Sequence, residues 1–376
     1  MSEILTIRNF GPIKDMSFEF KKINIFIGDQ GTGKSTVAKV IVSIQNTYFR
    51  ELFNLELRND QNKETQFFVE YLKIVDIFSF IQVNTEIFYD HPIFSFKYKE
   101  SNVTITKKRE STFQDQIRYD LNYIIAERSS ITVLSNSLYA LIETGTSLPR
   151  LFLRFGDKFL KSRKAKTILD YDEIIGVKFL YKNENDFIEL PSGKIIPFTE
   201  SSSGIQSSIT LLAVYDNMVS SDFSRENVSL SNDFLVPIII EEPEISCFPY
   251  TQYKLLKHIV SNLSIKIHDK LLYKNQLIIT THSPYILTSI NNLMYAFEVG
   301  KKEPEETNKI IDKKYWINPD DVSAYMLLTD GTCEDILDRE EGLIKAEKID
   351  GVTNTLNEQF SSMLNLQFSE NEFDTN

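Results

Sequence analysis

Gly28-Asp-Gln-Gly-Thr-Gly-Lys34-Ser35-Thr36 follows directly on the apolar run Ile23-Asn-Ile-Phe-Ile27. The spacing is G-x-x-x-x-G-K-[ST], that of a loop that cradles phosphate between a strand and a helix. Glycines let consecutive backbone N–H groups point at one anion with no Cβ in the way. At these positions Lys34 would reach the β- and γ-phosphates and the Ser35 hydroxyl would hold Mg²⁺. The helix that follows offers its positive end to the same phosphates. Val37, Val40, Ile41 and Ile44 give that helix an apolar face at the required spacing. The stretch Gly28, Asp29, Gln30, Gly31, Thr32, Gly33, Lys34, Ser35 and Thr36 is therefore expected to bind a nucleoside triphosphate.

A second part of such a site is expected at the carboxyl ends of neighbouring strands. Ile238-Ile-Ile240-Glu241-Glu242-Pro243-Glu244 is an apolar run that ends in acids. One acid there can hold Mg²⁺ through water, and the next can polarise an attacking water. Taken alone, the run is equally a strand with a solvated end. Pro237 lacks a ladder donor, which predicts that the strand starts at Ile238. Thr280-Thr281-His282-Ser283-Pro284 follows another apolar run, and His282 lies where a residue sensing the γ-phosphate would be. Ser201-Ser-Ser203-Gly204-Ile-Gln206 opens a helix; by itself it is a good N-cap.

At 376 residues the chain holds one large domain or two ordinary ones, with 42% hydrophobic residues, 27 Phe and 17 Tyr for a core. A net charge of −12 argues against a generally basic nucleic-acid binder. Two cysteines, Cys247 and Cys333, form no disulfide framework, which suits a reducing compartment. The first residues lack a secretory pattern, and no apolar run approaches the ~20 residues of a membrane span. The expected location is cytoplasmic, with no membrane partner.

Strands are predicted at Ile4–Ile7 and Ser17–Phe20 around a Gly11-Pro12 turn, within 91–108, and at 122–126. Residues 131–165 read as helical, and 168–198 as two or three strands. An α/β pattern then returns, with helices about 205–219, 249–263 and 284–291 and strands at 238–240 and 277–280. Lys158, Lys161, Arg163, Lys164 and Lys166, with Lys107, Lys108 and Arg109, are a candidate nucleic-acid contact, though a solvated helix face explains them more simply. With four His and no spaced metal-ligand cluster, nuclease chemistry outside the phosphate site is not expected.

The motif order resembles the ABC-type ATPase heads of SMC, RecF and OLD-like proteins. Most of all it resembles the compact bacterial AAA-type ATPases of anti-phage defence operons. The resemblance covers about 1–130 and 195–335. It includes Tyr123-Ile-Ile-Ala126-Glu127-Arg128-Ser129, similar to a Y-I-P-A-E-R-S stretch common in those proteins. It implies an α/β fold, a P-loop NTPase head of the ABC-ATPase type with an antiparallel β subdomain and a helical insert. The implied divisions are 1–130 for the first half of the head, 131–198 for a helical and β insert, 199–355 for the second half, and 356–376 for a polar tail.

By the same resemblance Gly28 to Thr36 is the Walker A motif and binds ATP. Ser203, Gly204 and Gln206 are an ABC signature that acts in trans on a second subunit's nucleotide. Glu241 stands at the Walker B position as a Mg²⁺ ligand with Ser35, Glu242 is the catalytic acid, and His282 is the switch histidine. The implied partners are a second copy or higher oligomer and a separate effector protein, a nuclease among the candidates, with nucleic acid a further one. The alternative implied by RecF and SMC is a DNA-repair or chromosome-maintenance ATPase that binds DNA directly. The sequence departs from the family at Ser-Ser-Gly-Ile-Gln in place of Leu-Ser-Gly-Gly-Gln, and at Glu241 in place of Asp. It has Cys247-Phe248-Pro249 in place of Leu-His-Pro, and no assignable Q-loop Gln; Gln82 is poorly placed and Glu127 is offered instead. Glu127 and Arg128 are equally read as a structural ion pair.

Overall fold

Alternating apolar and polar residues build the first sheet. In β1 (Glu3–Phe10) Leu5 and Ile7 are buried while their neighbours face out. The chain turns at Gly11-Pro12 into β2 (Ile13–Phe20), antiparallel to β1, so both strands run longer than the sequence suggested. β3 (Ile23–Gly28) then leads through the glycine loop into α1 (Lys34–Phe53). After α2 (Gln61–Ile74), strands β4 (Ile81–Asp90), β5 (Phe94–Lys99) and β6 (Asn102–Lys107) complete an antiparallel sheet of order β2-β1-β4-β5-β6. The computed structural model describes residues 3–53, 61–92, 94–108, 122–134, 148–221, 235–267, 270–345 and 351–369.

Strand β7 (Tyr123–Ile124) and the short helix α3 (Ser130–Leu134) precede α4 (Arg150–Ala165). The predicted helical stretch 131–165 is thus two helices, with 135–147 outside the described residues. An antiparallel sheet follows, of β8 (Ile168–Asp170), β9 (Lys178–Lys182), β10 (Asn185–Glu189) and β11 (Ile195–Pro197), with α5 (Asp172–Ile175) between its first two strands. Buried Arg163 pairs with Asp186 of β10, and its guanidinium lies over Tyr181 at 4.7 Å. Lys158 donates to Asn122 (3.2 Å). The basic run of α4 is therefore not one solvated or phosphate-binding face. A second tie fixes this insert to the head: Tyr171 donates to Asp216 (2.9 Å), whose other oxygen meets His258 Nε2 at 2.7 Å.

The chain continues through α6 (Ser203–Ser221), β12 (Leu235–Glu241), α7 (Pro249–Ser261), β13 (Ser264–Ile267), β14 (Lys270–Thr281), α8 (Pro284–Gly300), α9 (Pro304–Ile310), β15 (Val322–Leu327) and β16 (Cys333–Asp335). Strands β15, β3, β14, β12 and β7 lie side by side and parallel, with β16 antiparallel at the edge beside β15 and β13 paired to β14. A parallel sheet is covered on both faces and its strands read as continuous apolar runs; Ile23, Ile25, Phe26, Ile238, Ile239, Ile240, Leu277, Ile278 and Ile279 are all buried.

Pro237 sits inside β12 rather than before it, paired with Gln276. The Ile239 N–H points toward Asn122 beside β7 (2.8 Å), and by strand alternation the Pro237 nitrogen points the same way. Among the described residues β7 pairs only Ile239 and Ile240, and no ladder bond there calls on the Pro237 nitrogen. The segment expected as a polar tail also differs. Gly351–Ser369 is helix α10, with Leu356, Phe360 and Met363 exposed at helical spacing.

Glu3 joins the two sheets. Its carboxylate accepts from Tyr89 of β4 and from Gln276 Nε2 of β14 (2.9 Å). Burial raises its pKa to about 7 against these bonds. The folded state thus holds the Glu3 proton from the ordinary carboxylate range up to about 7, and stability falls as pH rises through that window. Glu3→Gln removes this loss, and the new amide can donate to Gln276 Oε1, which has no partner among the described residues. The variant is expected to exceed the wild type in unfolding free energy by on the order of 3 kcal/mol at pH 8, with the gap closing toward pH 4. Denaturant melts across pH check this; a gap that does not change with pH contradicts it.

Candidate nucleotide-binding site

Strand order alone brings the motifs together. β3 carries the glycine loop, β14 beside it ends just before His282, and β12 beside β14 ends at Glu241. In register, Ile27 faces Thr281 and Glu241 faces Thr280, so three carboxyl ends open on one cleft. Its cavity of about 350 Å³ is lined by Gln30, Gly31, Gly33, Lys34, Ser35, Thr36, Glu242 and His282, with Pro12 and Phe80.

The loop is built for an anion. A Cβ on Gly28, at φ +153°, would sit 2.3 Å from the Leu327 carbonyl oxygen, so only glycine fits beneath the loop. Thr32 Oγ1 braces the turn on the Asp29 carbonyl (2.8 Å). The first intrahelical bond of α1 runs from Val37 N to Gly33 O (2.9 Å). The N–H groups of Lys34, Ser35 and Thr36 therefore precede the helical ladder, as donors for an incoming oxyanion. Lys34 Nζ donates to the carbonyls of Gly28 and Asp29, each at 2.8 Å, and so stands across the mouth of the loop. Burial pulls the Lys34 pKa down, with Glu242, Asp29 and Glu244 acting the other way. The cation is thus incompletely compensated, as a site for phosphate needs.

On the opposite wall His282 Nε2 lies 3.4 Å from Glu242 Oε1, and both side chains are partly exposed to the cavity. Glu242 has φ +43°, a left-handed conformation uncommon for a residue with a side chain. Glu244, for which no motif predicts a role, holds this wall. Its Oε1 accepts from Thr281 Oγ1 and from the His282 N–H, both at 2.7 Å.

Glu241 does not line the cavity. It is buried, and its carboxylate accepts from the Tyr123 hydroxyl (2.8 Å) and the Ala126 N–H (3.4 Å). Burial and this carboxylate push the Tyr123 phenol well above its usual range, so it stays a donor. As placed, the Glu241 carboxylate is turned to Tyr123 and Ala126, away from the cavity lining.

Ser203, Gly204 and Gln206 also lie outside this cavity. The Ser202 hydroxyl accepts from the Ile205 N–H (3.4 Å) and caps α6, while Ser203 is exposed. A Cβ on Gly204 would lie 2.5 Å from the Ser246 carbonyl oxygen, so glycine lets α6 rest on the turn after Glu242. Gln206 is engaged within its own chain. Its amide donates to the carbonyls of Thr199 (3.1 Å) and Ser201 (2.9 Å) and accepts from Thr132 (2.9 Å), closing its own loop. The Glu127–Arg128 ion pair is not formed; Arg128 turns to backbone carbonyls instead. Glu127 is not among the cavity-lining residues. Pro12 and Phe80 reach the site from the antiparallel sheet; Gly11-Pro12 had signalled only a turn, and nothing marked Phe80.

No curated protein matches the chain in sequence. In fold it is similar to an SMC head domain from Thermotoga maritima, at 10% identity over 89% of this chain and 98% of that one, with a TM-score of 0.42. It is also similar to an Smc head domain with an extended coiled coil from Pyrococcus furiosus, bound there to the C-terminal domain of ScpA (11% identity, 95% and 99% covered, TM-score 0.42). A third likeness is to the recombination mediator protein RecF-ATPrS of the RecFOR pathway (11%, 89% and 98%, 0.39). Residues 155–287 match the family model described as the AAA ATPase domain, a stretch that holds Ser203, Glu242 and His282. Over that stretch the chain is similar to AAA ATPase domains, and the phosphate loop of an ATP-hydrolysing enzyme stands on the neighbouring strand of the same parallel sheet.

Proposed function

We propose that two copies of this chain pair head to tail, each completing the other's ATP site, and that opening and closing of the pair controls a separate effector in an anti-phage defence complex. One observation carries the pairing. Lys34, Ser35, Glu242 and His282 share one cavity, while Ser203 is exposed at the start of α6 and outside it. A signature that serves no site in its own chain is explained by a site in another. The defence role is supported by the order of the motifs and by the stretch Tyr123–Ser129.

In this reading the N–H groups of Gly33 to Thr36 and the Lys34 ammonium bind the β- and γ-phosphates. Glu242 takes a proton from the water that attacks the γ-phosphorus. His282, held through its N–H by Glu244, orients that water or the γ-phosphate. Mg²⁺ would be held by the Ser35 hydroxyl, with Glu241 acting through water, and would neutralise charge on the phosphates. Ser203 and Gly204 of the second copy close over the γ-phosphate. ATP then favours the closed pair by the contacts it gains there and nowhere else.

The test is expression of the chain with its genomic neighbours. A partner chain should co-purify, its toxic activity should follow the nucleotide state, and the purified ATPase alone should leave DNA and RNA intact. ATP-dependent DNA binding by the isolated chain, with no partner, would favour the direct DNA-acting alternative.

A further inference from the structure

Arg128 is fully buried, at 0% exposure, and forms no ion pair with the described residues. Instead its guanidinium donates to four backbone carbonyls: Nε to Ser207 (3.2 Å), Nη1 to Ile125 (3.2 Å) and Glu241 (2.8 Å), and Nη2 to Glu242 (2.8 Å). These carbonyls belong to the turn after β7, to the second turn of α6, and to the end of β12. A buried cation is tolerated only when its donors are satisfied, and the planar fork of arginine is suited to several acceptors at once. Burial lowers the Arg128 pKa to about 10, with Cys247 and the acids Glu244, Glu242 and Glu241 opposing, so it remains charged at neutral pH.

The carbonyl of Glu242 is the decisive partner. Left-handed φ at a glutamate persists only where the surroundings impose it. The Glu242 N–H is held by the Thr280 carbonyl (2.8 Å), and its own carbonyl accepts from Arg128 and from the Ile245 N–H (3.1 Å). That turn sends the carboxylate toward His282 and the phosphate loop. α6, which begins at Ser203, reaches the same turn through Ser207 and through the contact of Gly204 with Ser246.

We infer that Arg128 is a positioning residue that fixes the Glu242 turn and ties it to the signature helix, so that engagement of Ser203 by a second subunit's nucleotide sets the aim of the acid in its own subunit. This rests on the reading of Glu242 as the proton acceptor. Arg128 touches no substrate. A fixed turn should therefore appear in turnover and not in nucleotide binding.

Arg128→Lys keeps the charge, but one ammonium cannot span carbonyls on three separate pieces of chain. In steady-state ATPase assays kcat should fall roughly 100-fold while KM, and the affinity for a fluorescent ATP analogue, stay within about threefold. A kcat within about threefold of wild type, or an affinity that falls in step with kcat, overturns the inference. Amide exchange in the wild type gives a second reading should the lysine variant not fold. The Glu242 and Ile245 amides should be as protected as those of Ile239 and Ile278, and loop-like exchange there overturns the inference too. Wild type and Lys34→Ala run in the same assay separate the two readings. An active wild type with a silent Lys34→Ala and an unaffected Arg128→Lys sinks this inference alone, whereas an inactive wild type sinks the functional reading and this inference with it.

Discussion

Lys34→Ala is expected to lower ATP affinity roughly 100-fold or more and to remove measurable turnover. Among the described residues the ammonium is the one Lys or Arg charge of the cavity lining, and a charge paired with a desolvated anion is costly to truncate, about 3 kcal/mol or more. The fold should survive. Lys34 gives up two bonds to the Gly28 and Asp29 carbonyls, but it also gives up a cation that burial already disfavours. Titration calorimetry with ATP and Mg²⁺ checks the affinity, and circular dichroism checks the fold. A folded Lys34→Ala protein that binds ATP as the wild type does would remove the phosphate loop from the account.

Glu242→Gln should separate binding from chemistry. The amide is nearly the shape of the acid and can still meet His282, but it cannot take a proton from water. The expected loss in kcat is ~10²–10⁴-fold, the range for removing a general base. ATP affinity should hold or rise, because the triphosphate no longer faces a carboxylate. The same loss from Glu241→Gln, with Glu242→Gln active, would reverse the roles of the two acids. The structure argues against that reversal: Glu241 is buried and bonded to Tyr123 and Ala126, while Glu242 lines the cavity beside Lys34.

What was legible in the sequence is what rests on local covalent geometry. A glycine loop between an apolar strand and an amphipathic helix has few alternatives, and Gly28 with Leu327 against it shows why. The ends of β12 and β14 were legible because apolar runs in a parallel sheet stop where polar chemistry starts. Long-range contacts were not. Nothing near Glu244 in sequence says that it holds the His282 N–H, and nothing near Phe80 says that it reaches the phosphate loop. Gln206 matched a motif by type and position, yet its amide is taken up by the carbonyls of its own loop. Arg128 looked like half of an ion pair because Glu127 is next to it, whereas burial against the carbonyls of Ser207, Glu241 and Glu242 decides its role. Pro237 misled because whether a strand tolerates a missing donor depends on its neighbour, and the described pairing of β7 involves only Ile239 and Ile240.

The central claim is that the ATP site is shared between two copies. Lys34→Ala destroys the phosphate loop and leaves the signature, while Ser203→Arg leaves the loop and puts bulk and charge at an exposed position of the signature. Each variant alone should be nearly inactive. Mixed in equal amounts, with mixed pairs confirmed by differential tags, they should regain part of the wild-type ATPase rate, because a mixed pair holds one intact loop facing one intact signature. Mixed pairs that form and show no recovery would contradict the account and place a complete site within a single chain.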